Sequence, residues 1–297
     1  DGCRRYISVD GSVPGAEVTW DHHVTGEPIN LDAMPETFDA GGFDAVATTS
    51  PDADALVSVV AVLHGGKGRL PGEVRAVFES AAYWCDHLRG HPALEAETNR
   101  RGRGLLDHLA TGIAGTRAER AQRFVELARE LSARVERGEP LPFLDVWPEQ
   151  VALARRLKSE GRLRPHGHVM VIELRDAPPI DPAALYAEHA LPVSVHVERH
   201  DDGGPRYTVG LRPGPDVPFR DLGPALRALA RAEHAHGPPA LAPEPVPGAE
   251  NWGGRATVFG SPWNYGSRLA PAEVAEIVER AQFGGSMDVW PAIGDDR

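Results

Sequence analysis

Two α/β domains are expected from this chain. Short apolar runs ending on acidic residues alternate with long helical periodicities, and the pattern restarts after a Gly- and Pro-containing loop near residue 160. In the first domain, expected over residues 1–160, the runs 6–9, 17–20 and 45–49 are apolar or β-branched and bounded by Gly, Pro and Asp, the composition of strands. Residues 56–63 are almost wholly apolar, follow Asp52 and Asp54, and stop at His64-Gly65-Gly66. That is the pattern of a buried helix with acidic residues at its start and glycine at its end. Residues 72–88 form a second helix, and Leu105, Leu106, Leu109, Phe124, Leu127, Leu131 and Val135 keep helical spacing towards Arg137. Residues 148–159 add another, with Pro148 in the first turn, where its missing N–H costs nothing.

Residues 161–167, with Arg164, Pro165 and His166, read as the interdomain loop, and a smaller mixed α/β domain is expected over 161–297. Residues 168–174, 192–198 and 206–211 read as strands, the last two joined through the hairpin signal Asp201-Asp202-Gly203-Gly204. A helix is expected over 219–234 and a Pro/Ala-rich connector over 238–247. A glycine-rich stretch over 253–268 and a last helix over 271–281 follow, and no internal repeat is visible.

Composition narrows the function classes. Of 297 residues, 41% are hydrophobic and 25% charged, enough apolar content for a core in each domain. No run is apolar for long enough to span a bilayer, the first residues lack a signal-peptide core, and the two cysteines, Cys3 and Cys85, supply no disulfide framework or thiolate cluster. A cytoplasmic location is therefore expected. The net charge of −12 argues against a broad grip on long duplex nucleic acid and for a small anionic ligand in a local pocket.

The chemistry concentrates at the ends of the first strands. Asp10 ends the first, Asp21-His22-His23 the second, and Asp52 and Asp54 follow the third. Singly, each has a plainer role: Asp10 as a turn residue before Gly11, Asp21 as a cap, Asp52 and Asp54 at a helix N-cap. Together they make a dense set of oxygen and imidazole ligands, suited to Mn²⁺, Mg²⁺, Fe²⁺ or Zn²⁺ and to two ions rather than one. Adjacent imidazoles point in different directions, so His22 is expected on metal and His23 towards substrate, with the Asp21 carboxylate fixing a ring tautomer. In the second domain Gly253, Gly254 and Gly260 let backbone N–H groups approach an anion, while Arg255 and Arg268 supply charge and Trp252, Trp263 and Tyr265 a surface for a base. Ser261 belongs to the same expected substrate-binding segment, whose alternative is a tight turn packed by its aromatics. His87 and His91 lie beside Asp86 as ligands or solvent-facing groups, Arg100-Arg101-Gly102-Arg103 reads as a solvated loop, and Cys85 as a buried side chain beside Trp84.

Asp21-His22-His23, with Asp52-x-Asp54-Ala55 and a downstream Asp86, resembles the DHH phosphoesterase superfamily over residues 6–88. The glycine-rich Arg255 segment resembles its DHH-associated C-terminal domain over 165–283. The resemblance implies that Asp52 and Asp54 each ligate one metal ion, that Asp10 bridges both, that His22 binds metal while His23 faces the scissile phosphate, and that Asp86 closes one site. Two features depart from the family pattern. The Asp-x-Asp segment follows the tripeptide instead of preceding it, as in a permuted or divergent domain. Thr48 stands where the family has a histidine, leaving one ion short of a ligand or dependent on His87 or His64.

The expected function is hydrolysis of a phosphoester in a small nucleotide or short single-stranded oligonucleotide by metal-activated water, with Mn²⁺ or Mg²⁺ as a pair, in an interdomain cleft; a homodimer is compatible with this. Two rivals remain: a metal-dependent enzyme on another small phosphorylated or carboxylated metabolite, and a nucleotide-binding regulatory protein with a decayed metal centre.

Overall fold

Three short parallel strands organise the first unit. The computed structural model describes residues 5–49, 51–110, 117–214, 217, 221–236 and 251–284. The chain divides into two compact units, Asp1–Pro148 and Glu149–Arg297, so the helix expected to close the first domain starts at the division instead of preceding it. Both units are α/β, and the second, expected to be the smaller, carries the larger sheet.

In the first unit β1 (Tyr6–Val9) lies between β2 (Val18–Trp20) and β3 (Ala45–Ala47), parallel to both. Their carboxyl ends therefore share one edge, where open α/β sheets present ligand-binding residues. Two single-turn helices, α1 (His22–Thr25) and α2 (Asn30–Ala33), follow β2, and neither has the length to show a period in the sequence. The helix α3 (Ala53–Leu63) is buried along nearly its whole length, because its run of Val, Ala and Leu has no polar face. Asp52 caps it, its Oδ1 accepting the Ala55 amide at 3.0 Å, and Gly65 and Gly66 at positive φ turn the chain away. The helices α4 (Gly72–His87), α5 (Ala96–Ala110) and α6 (Arg117–Arg137) complete this unit, sharing a core built on Ile7, Val9, Leu56, Phe78, Leu105 and Leu131.

The Arg100–Arg103 run is not a solvated loop but the middle of α5. Gly102 lies over α4 so closely that a Cβ would sit 2.3 Å from Ser80 Oγ, which explains a glycine inside a helix. Arg103 is buried: its Nε and Nη2 donate to Asp107 Oδ1 at 2.9 and 2.6 Å. Its guanidinium carbon is 5.4 and 4.6 Å from the ring centres of Trp84 and Trp147. The sequence shows three arginines and a glycine there; the buried partner four residues on and the two indoles are tertiary facts.

The second unit opens with most of α7 (Trp147–Ser159). Its six-stranded mixed sheet has the order β4-β5-β6-β7-β9-β8, from β4 (Leu163–His166), β5 (Val169–Glu173), β6 (Val193–Arg199), β7 (Pro205–Leu211), β8 (Gly253–Gly254) and β9 (Val258–Gly260). The segment read as an interdomain loop is therefore mostly strand β4, and Pro165 is tolerated because β4 is an edge strand whose missing donor breaks no inner ladder. The hairpin between β6 and β7 forms as expected, through Asp201–Gly204. A short helix not anticipated from the sequence, α8 (Pro182–Tyr186), starts at Asp181, whose Oδ1 accepts the Ala183 amide at 2.7 Å. Later come α9 (Gly223–Ala235) and α10 (Pro271–Phe283), each with proline in its first turn. The expected connector over 238–247 and the start of the helix expected from 219 lie outside the described residues.

Val193, Val195 and Val197 alternate into the core beside α9 and α10. Ser194 and His196 face the other way: Ser194 Oγ donates to the Tyr186 hydroxyl at 3.0 Å and lies 3.1 Å from His196 Nε2. Burial pushes the His196 pKa down to about 4, and burial, with electrostatic coupling to His196 and Arg212, does the same to His189. Both imidazoles are thus neutral in the fold while free imidazole protonates near 6.5. The unfolded chain takes up protons as pH falls from about 6.5 towards 4, and stability is lost over that window at about 1.4 kcal/mol per pH unit for each ring. His196→Gln is expected to remove one ring's share of the pH slope in urea melts between pH 7 and 5; an unchanged slope refutes the assignment.

No helix among the described residues is long and apolar enough to cross a membrane.

Candidate metal centre

Asp10 stands at the carboxyl end of β1 with φ 49°, a conformation that L-residues other than glycine, Asn and Asp rarely adopt. Its amide donates to the Trp20 carbonyl at 3.0 Å, and its own carbonyl accepts from the hydroxyls of Thr48 and Thr49 at 3.3 and 3.2 Å. Thr48 thus helps to fix Asp10. Gly11 follows at φ 114°, where a Cβ would lie 2.0 Å from Thr49 Oγ1, so only glycine lets the chain leave β1 this way. All these contacts hold one carboxylate at the sheet's edge.

Asp21 is the N-cap of α1: its Oδ1 accepts the His23 amide at 3.0 Å and lies 2.9 Å from His23 Nδ1. The helix stops after one turn at Gly26 in the left-handed region. The His22 and His23 rings do not point apart as expected: their centres lie 4.1 Å from each other at 55°, one ring buried and the other exposed. His22 is buried, and its Nδ1 lies 3.3 Å from the Glu27 carbonyl, a contact that places a proton on Nδ1. Its Nε2 then faces three carboxylates: Asp10 Oδ1 at 3.3 Å, Asp86 Oδ2 at 3.4 Å and Asp54 Oδ2 at 3.6 Å. The His23 side chain is 60% exposed, with Nδ1 3.7 Å from Asp10 Oδ1.

Two groups of potential ligands result, Asp10 with His22 and His23, and His22 with Asp54 and Asp86, each with its donor atoms within 4.8 Å of one another. Burial, which alone would depress it, is outweighed at His22 by the Asp10 carboxylate and the charges of Asp54 and Asp86, and its pKa rises to about 9. Burial, followed by the Asp86 charge, holds Asp54 well above the usual carboxylate range, and burial also raises Asp86. The donors fit a hard divalent cation. Among the described residues, Asp54 Oδ1 is buried with no hydrogen-bond donor and Asp10 Oδ1 lacks one of acceptable geometry, and three carboxylates with an imidazole match what Mn²⁺ or Mg²⁺ takes.

The other residues singled out in the sequence lie elsewhere. Asp52 is in neither group, and its carboxylate serves the cap of α3. His64 is at the opposite end of α3, about 16 Å along the helix, with its Nε2 3.1 Å from Ser132 Oγ. His87 stacks on Tyr83 with ring centres 4.1 Å apart and its Nε2 2.8 Å from the Pro28 carbonyl; His91 packs against the same ring. Burial pushes the Cys85 thiol up, as for a structural side chain.

Asn30 was missed. Its Oδ1 accepts the His22 amide at 3.2 Å, its own amide donates to Asp54 Oδ2 at 2.8 Å, and its Nδ2 donates to Ser58 Oγ at 3.1 Å. It ties the His22 turn to α3, and nothing local in Pro28-Ile29-Asn30-Leu31 signals this. Asn30→Ala is expected to weaken Mn²⁺ binding about 10- to 100-fold, as loss of groups that orient ligands does; titration calorimetry giving wild-type affinity would contradict it.

In the second unit Gly253, Gly254 and Arg255 line a trough of about 630 Å³ with Arg206, Thr208 and Trp263. Ser261 borders the trough but its hydroxyl accepts the Tyr207 amide at 2.9 Å and its side chain is buried. Arg268 is not among the lining residues; its Nη1 donates to the His236 carbonyl at 2.7 Å. Trp252 is buried, its Nε1 donating to Glu233 Oε2 at 3.2 Å, and Tyr265 is buried too. Only Trp263, 66% exposed, offers an open ring.

No family model matches the chain, and no curated protein does. Among solved structures, a pGpG-specific phosphodiesterase, PggH from Vibrio cholerae, is similar at 14% identity and a TM-score of 0.46, over 86% of this chain and 76% of that one. At that level nothing about site or activity is transferred. What fold and site define is a two-unit α/β protein with a carboxylate–imidazole cage at the edge of its parallel sheet.

Proposed function

We propose that the protein is a divalent-metal-dependent phosphoesterase acting on a small nucleotide or short oligonucleotide, with Asp10, His22, Asp54 and Asp86 as ligands. One observation carries this reading: three carboxylates close within 3.6 Å of a single buried ring nitrogen, beside a buried carboxylate oxygen that no donor among the described residues satisfies. Such an arrangement is costly without a cation and is what divalent ions bind.

When bound there, a divalent ion supplies charge neutralisation at a phosphoryl oxygen and acidifies water, the chemistry that phosphoester hydrolysis needs. His22 holds its ring through the Nδ1 contact with Glu27. Asp21 holds His23 by Nδ1, leaving Nε2 on the exposed side of the ring to give a proton to the leaving oxygen as the P–O bond breaks. Mn²⁺ or Mg²⁺ is the proposed ion. A second ion is proposed on the Asp10 side of the site.

The test is turnover of dinucleotides, short oligonucleotides and nucleoside monophosphates by purified protein, with Mn²⁺, with Mg²⁺ and with EDTA, alongside the metal content of the protein. Phosphoester cleavage that EDTA abolishes and Mn²⁺ restores is expected. Equal rates in EDTA, or no cleavage of any of these substrates, would overturn the proposal; failure to retain Mn²⁺ would favour the regulatory alternative.

A further inference from the structure

His22 is gripped at both ring nitrogens, and both grips lead back to neighbouring residues of α4. On one side Asp86 Oδ2 lies 3.4 Å from His22 Nε2. On the other, the Glu27 carbonyl lies 3.3 Å from His22 Nδ1, and the next carbonyl along the chain, that of Pro28, lies 2.8 Å from His87 Nε2. A carbonyl oxygen can only accept, so the proton in this contact is on His87 Nε2. His87 is in neither group of potential metal ligands. Its ring is committed instead to the face of Tyr83 and to the loop that holds His22.

Pro28 turns this contact into a brace. Its ring fixes φ, so a single torsion, ψ of Pro28, separates the Glu27 carbonyl from the Pro28 carbonyl. As the residue before a proline, Glu27 is itself confined to extended backbone. The far end of the loop is tied as well, because the Asn30 amide donates to Asp54 Oδ2 at 2.8 Å. With the Pro28 carbonyl anchored on His87, the Glu27 carbonyl has little freedom to swing away from His22. The footing on α4 is firm. Tyr83 is buried, and its ring centre lies 4.1 Å from that of His87 at 30°. It also meets His91 edge-on, with ring centres 4.7 Å apart, and its hydroxyl accepts from Arg89 Nη2 at 3.3 Å. Residues four apart share a helix face, so Tyr83 sets where the His87 ring lies.

We propose that His87 is a positioning residue: through Pro28 it aims the Glu27 carbonyl at His22 Nδ1, which leaves Nε2 as the nitrogen offered to a cation. This deepens the proposed function, and it rests on that reading for the consequence at the metal, not for the brace itself.

Two readouts on the full chain separate brace from metal. The first is solvent exchange of the His22 Nδ1–H proton, followed by NMR in EDTA on protein with nitrogen-labelled histidine. The second is Mn²⁺ affinity by titration calorimetry. His87→Phe keeps a ring against Tyr83 and removes the donor, His87→Gln keeps a donor without the ring, and Pro28→Ala frees φ. In His87→Phe and Pro28→Ala the proton is expected to exchange about tenfold faster, the effect of one lost hydrogen bond, and Mn²⁺ to bind about 10- to 100-fold more weakly. His87→Gln should stay close to wild type in both. Wild-type exchange in His87→Phe overturns the brace, and so does an equal acceleration in His87→Gln, where the donor is kept. The Trp84 indole N–H, which donates to the Asn99 carbonyl at 3.2 Å, is the internal reference. If it accelerates by the same factor in His87→Phe, the whole unit has loosened and the proposal fails. Proton exchange as expected in a wild-type protein that binds no Mn²⁺ leaves the brace standing and sinks the metal-dependent function instead.

Discussion

Asp54→Asn is expected to lose metal-dependent turnover by about 10²-fold or more, the loss of several kcal/mol of electrostatic stabilisation, while making the metal-free protein more stable. Asp54 is fully buried, and the carboxylates of Asp86 and Asp10 add to the burial that raises its pKa. Asparagine is isosteric, cannot ionise, and keeps an oxygen for the Asn30 amide, which donates to Asp54 Oδ2 at 2.8 Å. A raised pKa means that the folded protein binds a proton the unfolded chain has released. The penalty is therefore absent at low pH and grows as pH rises beyond the ordinary carboxylate range, and the gain from asparagine should be larger at pH 8 than at pH 5. Saturating Mn²⁺ should reverse the order, because wild type gains binding free energy and the variant gains little. Thermal melts of both proteins in EDTA and in Mn²⁺ would show the crossing. A variant less stable than wild type in both conditions, or one that keeps Mn²⁺-dependent turnover, would rule this out.

Arg103→Ala is expected to cost about 3–5 kcal/mol, the usual consequence of removing one partner from a buried ion pair. Arg103 and Asp107 are both buried, and the substitution takes this guanidinium away from a carboxylate that has little access to water. It also empties the space between Trp84 and Trp147. The double variant Arg103→Leu with Asp107→Leu should recover most of the loss, since apolar residues of similar volume replace buried pairs at little cost. Urea melts of wild type, Arg103→Leu, Asp107→Leu and the double variant complete a cycle that measures the coupling. A single-variant cost below about 1 kcal/mol would show that water still reaches the pair.

The fold was legible wherever a period or a stop signal lay within one segment. The strands 6–9 and 206–211, the wholly apolar α3 with its glycine stop, and the hairpin through Asp201–Gly204 all declare themselves locally. The single-turn helices α1, α2 and α8 do not, because one turn carries no repeat. Strand β4 was hidden by Pro165, which argues against an inner strand and says nothing of an edge. At the candidate site, Asp10, His22 and Asp54 each follow a strand of one parallel sheet, and parallel strands end on the same side, so their meeting is a consequence of topology. Asp52 and Asp54 look alike in sequence, yet at the start of a helix one residue caps and the other turns inward. Trp252, Trp263 and Tyr265 are equally aromatic letters, and only the fold buries two and leaves one open. Asn30 was invisible because its partners lie up to 28 residues away.

The Asn30 amide proton ends on the Asp54 carboxylate. Its nuclear resonance frequency and its exchange rate with solvent must therefore respond to whatever charge that carboxylate carries. The chain contains its own gauge of occupancy, readable in a labelled sample by titrating in an ion, with no substrate present.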